Sequence, residues 1–221
     1  MYKIETHLHT VYSSSCGHLD AEAIVNGYLK AGYHGVAVTD HFNWATYRFL
    51  GFDRLKPEEI AKAFLEGYCR VREVGERLGL KVYKGAEFRF DGSDNDYLVF
   101  GFSDDVLREP AKTFKNGLAE FSRRCRSEGG LIIQAHPYRN VCTPAEAALL
   151  DGVEVLNRNT DWDNHNDWAL TFAEKNGLLQ TSGSDCHTPA QIGKGGILTN
   201  TLPENDDAFM ALLRSGDYAL I

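Results

Sequence analysis

The chain has 221 residues, which suits one large domain, since barrels of alternating strands and helices run to about 200–250 residues without dividing. Its 43% hydrophobic and 24% charged residues supply a sizeable core and exclude a disordered chain. Lys and Arg total 23 against 31 Asp and Glu, and the resulting charge of -8 excludes a broad sequence-independent grip on nucleic acid while suiting cations. No run approaches a membrane span, and residues 1–6 read as a strand instead of a leader, so a cytoplasmic protein without a membrane partner is expected. The 5 cysteines (Cys16, Cys69, Cys125, Cys142, Cys186) are odd in number and lack C-x-x-C spacing. They indicate neither a disulfide framework nor a zinc ribbon, and most are expected to be small buried hydrophobes.

Tyr2 to Thr6 read as a short strand leading into His7-Leu8-His9. Residues two apart in an extended backbone point to the same side, so both imidazoles can face one cavity and one cation. After a Ser-rich turn, Asp20 is expected to cap an amphipathic helix carrying Ala21, Ile24, Val25, Tyr28 and Leu29, which Gly32 ends. Gly35 to Thr39 is a short apolar run of the kind buried on both faces of a parallel sheet, and it stops at Asp40-His41. The aromatics Phe42, Trp44, Tyr47, Phe49 and Phe52 show no period; they form a lid or, as is commoner for a long loop, pin the segment to the body. Pro57 starts one long helix that reaches Leu78 and ends at Gly79.

The strand from Leu80 to Ala86 then delivers Glu87. A polar turn from Asp91 to Asp96 precedes a strand over Tyr97 to Phe102, and Pro110 begins a helix bearing Phe114, Leu118, Phe121 and Cys125. Leu131 to Ala135 is a buried strand ending at His136-Pro137, and Gly152 to Leu156 is another, ending at Asn157-Arg158-Asn159. A helix over Asn166 to Lys175 returns the chain to the strand Leu178 to Thr181, which leads to Ser184-Asp185-Cys186-His187. A strand near Ile197, a helix with Phe209, Leu212 and Leu213, and a strand at Tyr218 to Ile221 close the chain. This alternation predicts an α/β fold, either a parallel barrel or a doubly wound sheet, in one domain over residues 1–221.

Nearly every strand hands over a potential ligand at its C-terminal end: His7 and His9, Asp40 and His41, Glu87, His136, Asp185 and His187. Barrel enzymes carry their catalytic groups there. Five of the 8 histidines occupy these positions, whereas His18, His34 and His165 do not. A mixed imidazole and carboxylate set suits Zn, Mn, Fe or Co, and it exceeds what a single catalytic ion uses, so two or three divalent ions are expected with Glu87 as a bridge.

His7-Leu8-His9, Thr39-Asp40-His41, Gly85-Ala86-Glu87, Ala135-His136-Pro137 and Ser182-Gly183-Ser184-Asp185-Cys186-His187 resemble the ordered motifs of the polymerase and histidinol phosphatase (PHP) superfamily. The resemblance covers about residues 1–195 and implies a distorted TIM-like (β/α)7 barrel with two or three metal ions at the C-terminal ends of the strands. It further implies hydrolysis of phosphate esters. Carried over residue by residue, it places His7, His9, Glu87 and Asp185 on a first metal, Glu87 and His136 on a second, and His41 and His187 on a third. Two positions depart from the family pattern. Asp96, beside Asn95, stands where many members have a His, and the loop after the His pair reads Ser13-Ser14-Ser15-Cys16-Gly17-His18, so Cys16 or His18 is the available substitute ligand at the third site.

A phosphorylated substrate also calls for cationic side chains. Arg139, just after His136-Pro137, and Arg158, at the next strand end, are the expected contacts, with Arg89 a third. The function expected is that of a metal-dependent phosphoesterase acting on a small phosphorylated metabolite or nucleotide, with water activated by the metal ions. In it His41 or His187 protonates the leaving oxygen if the third metal is absent. The alternatives are a non-catalytic or regulatory metal-binding module and a metal-dependent hydrolase acting at a carbon centre.

Overall fold

The computed structural model describes residues 1–221. Strand β1 (Tyr2–Leu8) is followed by α1 (Ala21–Lys30), β2 (Gly35–Val38), the two-residue β3 (His41–Phe42), α2 (Trp44–Phe49), α3 (Pro57–Phe64), α4 (Glu66–Leu78), β4 (Lys81–Arg89) and β5 (Asp96–Phe100). The chain continues through α5 (Asp105–Arg108), α6 (Pro110–Ser127), β6 (Leu131–Gln134), β7 (Gly152–Asn157), α7 (Asn166–Asn176), β8 (Leu179–Gly183), β9 (Ile197–Thr199), α8 (Asp206–Ser215) and β10 (Tyr218–Leu220). The strand order is β10-β9-β1-β2-β4-β5-β6-β7-β8, with β3 paired on β4.

The far edge of this sheet returns to β1. Leu8 bridges Cys186 in parallel, the His9 amide donates to the Cys186 carbonyl at 2.9 Å, and Thr6 Oγ1 donates to the Ser182 carbonyl at 2.6 Å. The strands β1, β2, β4, β5, β6, β7 and β8 thus nearly close into a distorted TIM-like barrel. β5 is the distortion. The turn before it is too short for a helical crossover, so β5 pairs antiparallel with both β4 and β6. Its first residue, Asp96, therefore lies at the end of the barrel where the parallel strands finish.

Register then brings chemistry together: His41 stands opposite Glu87 across β3 and β4, and Arg89 opposite Asp96 across β4 and β5. Irregular pairing between Glu5 and Leu8 on β1, and between Glu154 and Leu156 on β7, re-aims side chains where both strands approach this end.

Between Pro57 and Leu78 the chain forms two helices, not the single one that periodicity predicts, with the break at Leu65. The break seats the start of α4 against the loop after β1. The Gly67 amide donates to Ser13 Oγ at 3.1 Å, and a Cβ on Gly67 would overlap Thr10 Oγ1 and Asp40 Oδ2. Likewise α6 is interrupted at Gly117, whose φ of 74° leaves the helical region. The aromatic stretch pins its segment to the body: Phe42 is fully buried, with ring centroids 4.8, 5.1 and 5.0 Å from Phe64, Phe88 and Phe114.

Helix α8 covers the end of the barrel where β1, β4 and β6 begin. Its Phe209 stacks on Tyr83 at 4.3 Å and joins Ile4, Phe100 and Leu131 in one apolar cluster. With that end plugged by packing, the polar groups are confined to the opposite end. Cys125 and Cys186 are the small buried hydrophobes expected, whereas Cys69 is exposed and Cys16 and Cys142 are half-buried.

Candidate metal centre

His7 and His9 leave the end of β1, Glu87 lies near the end of β4, and His136 and Asp185 stand just past β6 and β8. The strands converge, so these side chains meet, buried, at the floor of a cleft that His136 and Asp185 help to line. His7, His9 and Glu87 have 0% exposure. His136 and Asp185 hold positive φ angles of 29° and 48°. Such backbone costs about 1–3 kcal/mol for a non-glycine residue and persists where surrounding structure demands it, most often at functional sites.

The donor atoms are crowded, and several have no hydrogen-bond partner. His7 Nε2 lies 3.4 Å from both Glu87 Oε1 and Asp185 Oδ1, and His9 Nε2 lies 3.4 Å from Glu87 Oε2 and 3.3 Å from Asp185 Oδ1. His136 Nε2 is 3.2 Å from Glu87 Oε1, and His41 Nδ1 is 2.8 Å from Glu87 Oε2. Four overlapping sets have ligand-capable atoms within 4.8 Å of one another: His7, His9 and Asp185; His7, Glu87 and His136; His41, Glu87 and Asp96; and His9, His41 and His187. Buried polar atoms are ordinarily hydrogen-bonded. Here His7 Nε2, His9 Nε2, His41 Nδ1 and Glu87 Oε2 are buried without a partner, which is what a cation-binding cavity requires of its ligands.

Glu154 on β7 explains how His7 is aimed. Its Oε1 accepts from His7 Nδ1 at 2.9 Å, while its Oε2 accepts from the His136 amide at 3.2 Å and from Asn157 Nδ2 at 2.8 Å. This leaves the His7 Nε2 lone pair directed into the cavity, the arrangement in which a carboxylate behind a ligating imidazole sets its tautomer. Sequence reasoning passed over Glu154. Its signal was a lone acidic residue inside the apolar run Gly152 to Leu156. Glu5 plays a comparable supporting part on β1, accepting from the His7 and Ser184 amides at 3.0 and 2.9 Å and from Tyr28 at 2.9 Å.

Electrostatics follow from this crowding. Burial depresses His7, but Glu154, Asp185 and Glu87 outweigh it and hold the imidazole well above its ordinary pKa. Buried His9, beside His187 and His41, is held well below. Burial opposes ionisation of Glu87 and Asp185, yet His41 and His7 around the first, and His7, His9 and Arg139 around the second, keep both carboxyls well below the usual range. Without a cation the centre therefore stores protons on its carboxylate-flanked imidazoles. Cys16 is unusual too: burial works against its thiolate, but contact with His187 and His41 brings the thiol down to about 6.

Other sequence-selected residues fall into place differently. Asp96 faces His41 and Glu87 but is gripped by Arg89, whose Nε donates to Asp96 Oδ1 at 2.8 Å and whose Nη2 pairs with Oδ2. Asp40 is turned away from the cavity and accepts from the Thr10 amide, Thr10 Oγ1 and Ser14 Oγ, each at 2.7 Å. It fastens the loop after β1 and is not brought to the ligand sets. Arg139 pairs with Asp185 at 2.7 Å, donates to Asn164 at 2.7 Å, and keeps Nη2 buried and unpartnered beside the cleft. Arg158 is not brought there at all: it is exposed and reaches the Ile221 carbonyl at 3.4 Å, because the residue after the last position of β7 points away from the barrel axis. His18 lies at the cleft rim with its side chain exposed, and His187 and Cys16 line the same cleft of about 420 Å³.

No curated protein matches the sequence. Among solved structures, all of this chain aligns with 64% of a two-domain protein from Bacteroides vulgatus that contains a predicted PHP-like metal-dependent phosphoesterase, at a TM-score of 0.74 and 15% identity. It also aligns over 96% of each chain with a proposed metal-dependent phosphoesterase from Bifidobacterium adolescentis (TM-score 0.58, 21% identity). An amidohydrolase from Chromobacterium violaceum with bound sulfate and no metal aligns over 99% of this chain and 97% of its own (TM-score 0.58, 16% identity). At these identities the likeness shows the fold alone. The family model of the PHP domain, however, matches residues 5–213, a span that contains every strand-end donor from His7 to His187. Its match over almost the whole chain, on a barrel whose imidazole- and carboxylate-bearing ends converge, establishes that the chain belongs to the PHP domain family.

Proposed function

We propose that the protein is a metal-dependent phosphoesterase that hydrolyses a small phosphorylated metabolite or nucleotide. The observation that carries this reading is the convergence of buried, unpartnered imidazole and carboxylate atoms at one end of the barrel. His7, His9, Glu87 and Asp185 would hold one ion, Glu87 and His136 with Asp96 nearby a second, and His41 and His187 a third. The mixed nitrogen and oxygen set suits Zn, Mn or Fe. Divalent ions bound there supply a nucleophile from water at neutral pH and offset charge on the phosphoryl oxygens.

The protein's own groups do the rest. Glu154 holds the His7 ring in the ligating tautomer. Arg139, anchored by Asp185 and Asn164, offers its free Nη2 to a phosphoryl oxygen, a charge-assisted contact. His41 and His187 at the cleft mouth act as ligands when a third ion is held and as proton donors to the leaving oxygen in its absence. A cleft of about 420 Å³ matches a small-molecule site and not a polymer track.

The test is a phosphate-release screen of metal-loaded protein across phosphomonoesters and phosphodiesters, with His9→Ala as control. Metal-dependent turnover that His9→Ala abolishes is the expected result. Metal-loaded protein that releases no phosphate above the control, or that cleaves only amides or lactones, overturns the phosphoesterase reading.

A further inference from the structure

We propose that Asn164 is a positioning residue for the reaction: it sets the direction in which Arg139 presents its guanidinium to the phosphoryl group, and it acts on turnover through Arg139 alone. The inference rests on the phosphoesterase reading above.

Two neighbours hold Arg139, and they are not equivalent. Nη1 lies 2.7 Å from Asp185 Oδ2, yet that oxygen has no hydrogen-bond partner, so the pair is close but poorly aligned. Such a pair keeps the charge nearby without setting the plane of the guanidinium. Asp185 is also shared with His7 and His9 in one ligand set. The aligned contact is the hydrogen bond from Arg139 Nε to Asn164 Oδ1 at 2.7 Å. A guanidinium is planar and rigid, so holding Nε–H fixes where Nη2 points, and Nη2 is the nitrogen left buried and unpartnered beside the cleft.

Asn164 is held so that its oxygen faces the arginine. It is buried and does not line the cleft, so it touches no substrate itself. Its Nδ2 donates to the carbonyls of Asn159, Asn157 and Trp162 at 2.9, 3.3 and 3.4 Å. A flipped amide would set its NH2 against the guanidinium and its oxygen against three carbonyls, so the partners settle its orientation. Those carbonyls belong to the loop after β7, which asparagine side chains fasten to the metal centre. Asn157 Nδ2 donates to Glu154 Oε2 at 2.8 Å, the Asn159 amide donates to Asn157 Oδ1 at 3.0 Å, and Asn159 Nδ2 donates to the Asp185 carbonyl at 3.3 Å. Through Asn164, Arg139, which follows β6, is thereby registered against groups on β7 and just past β8.

Kinetics of single and double variants of the metal-loaded protein, with p-nitrophenyl phosphate and bis(p-nitrophenyl) phosphate as probes, test this. Asn164→Ala is expected to lower kcat/KM about 3- to 30-fold, less than Arg139→Ala does, with metal content per chain unchanged. Arg139→Ala combined with Asn164→Ala should stay within about twofold of Arg139→Ala alone, because a residue that acts only through Arg139 then has nothing to position. Hydrogen exchange at Arg139 Nε, its NMR signal identified by its loss in Arg139→Lys, reads the contact without turnover. Exchange should be slow in wild type beside that of exposed arginines, and fast in Asn164→Ala. Wild-type kcat/KM in Asn164→Ala, losses that multiply in the double variant, loss of metal in Asn164→Ala, or a wild-type Arg139 Nε–H that exchanges as fast as exposed ones each overturns the role of Asn164 and leaves the phosphoesterase reading standing. Metal-loaded wild type that cleaves neither ester overturns the phosphoesterase reading, and with it this inference.

Discussion

Replacing Glu154 by Gln keeps the shape of the side chain and removes its charge, and the surroundings make the outcome calculable. Three donors converge on this carboxylate: His7 Nδ1, the His136 amide and Asn157 Nδ2, at 2.9, 3.2 and 2.8 Å. A glutamine has one acceptor oxygen. If that oxygen serves His7, its NH2 confronts the His136 amide and Asn157; if it serves them, its NH2 confronts His7 and drives the ring proton to Nε2, the atom that faces the cavity. Either way a buried donor is left opposed, which costs about 1–3 kcal/mol of stability. Loss of a carboxylate behind a ligating histidine typically weakens metal binding about 10- to 100-fold, or about 1.4–2.7 kcal/mol.

A second effect runs the other way. Glu154 is the foremost of the charges that raise His7, so the variant also removes proton competition for the ring. That competition reaches from the ordinary histidine pKa up to the raised one and fades as pH rises through that range. The affinity deficit of Glu154→Gln is therefore expected to be small at about pH 6.5 and to widen toward about pH 8.5. Competition with a chromophoric chelator at the two pH values, alongside thermal melts of the metal-free proteins, reads both terms. Wild-type affinity at both pH values would refute the orienting role. An equal deficit at both, tracking lost stability, would refute the proton argument.

Gly67→Ala should cost about 1–3 kcal/mol in urea unfolding, because its Cβ overlaps Thr10 Oγ1 and Asp40 Oδ2, which are held by their hydrogen bond to each other; an unchanged midpoint contradicts the close approach. Arg139→Ala should lower kcat/KM by about 10- to 100-fold, the worth of a charge-assisted contact. Arg158→Ala should leave steady-state kinetics unchanged, since its guanidinium is remote from the cleft. For His136, burial acts downward, but contacts with Cys142 and Glu87 outweigh it and raise the folded pKa to about 9. A group raised in the folded state contributes stability fully below its unfolded value of about 6.5 and loses it as pH rises through the folded value. Metal-free protein should therefore lose up to about 3 kcal/mol between about pH 6.5 and 9, and metal-loaded protein, whose His136 is held neutral, should lose much less; parallel pH profiles of the two forms contradict this.

The convergence of these strand ends was legible because parallel strands in a barrel finish at one rim, so His7, Glu87, His136 and Asp185 could be placed together from their position after apolar runs. Asp96 was legible as a substitution but not as the start of an antiparallel strand, since strand direction depends on which neighbours accept the segment. Glu154 escaped notice because an acidic residue inside a strand carries no periodic signal until its partner His7, far away in sequence, is seen against it. Asp40 and Arg158 show the converse. Both follow strands, yet one turns into a loop's hydrogen-bond network and the other turns outward to the C-terminal residue. The break at Leu65 was hidden for a similar reason: helical periodicity runs through it, and the contact that accompanies it, Gly67 with the Ser13 loop, is distant in sequence.

Elemental analysis of metal per chain, in wild type and His9→Ala purified side by side and dialysed against metal-free buffer, tests the metal centre most directly. The converging donors of His7, His9, Glu87, His136 and Asp185 predict about two to three divalent ions per wild-type chain and a clear loss in His9→Ala. Wild-type protein that retains no metal and acquires none when supplied with Zn, Mn or Fe would contradict the account.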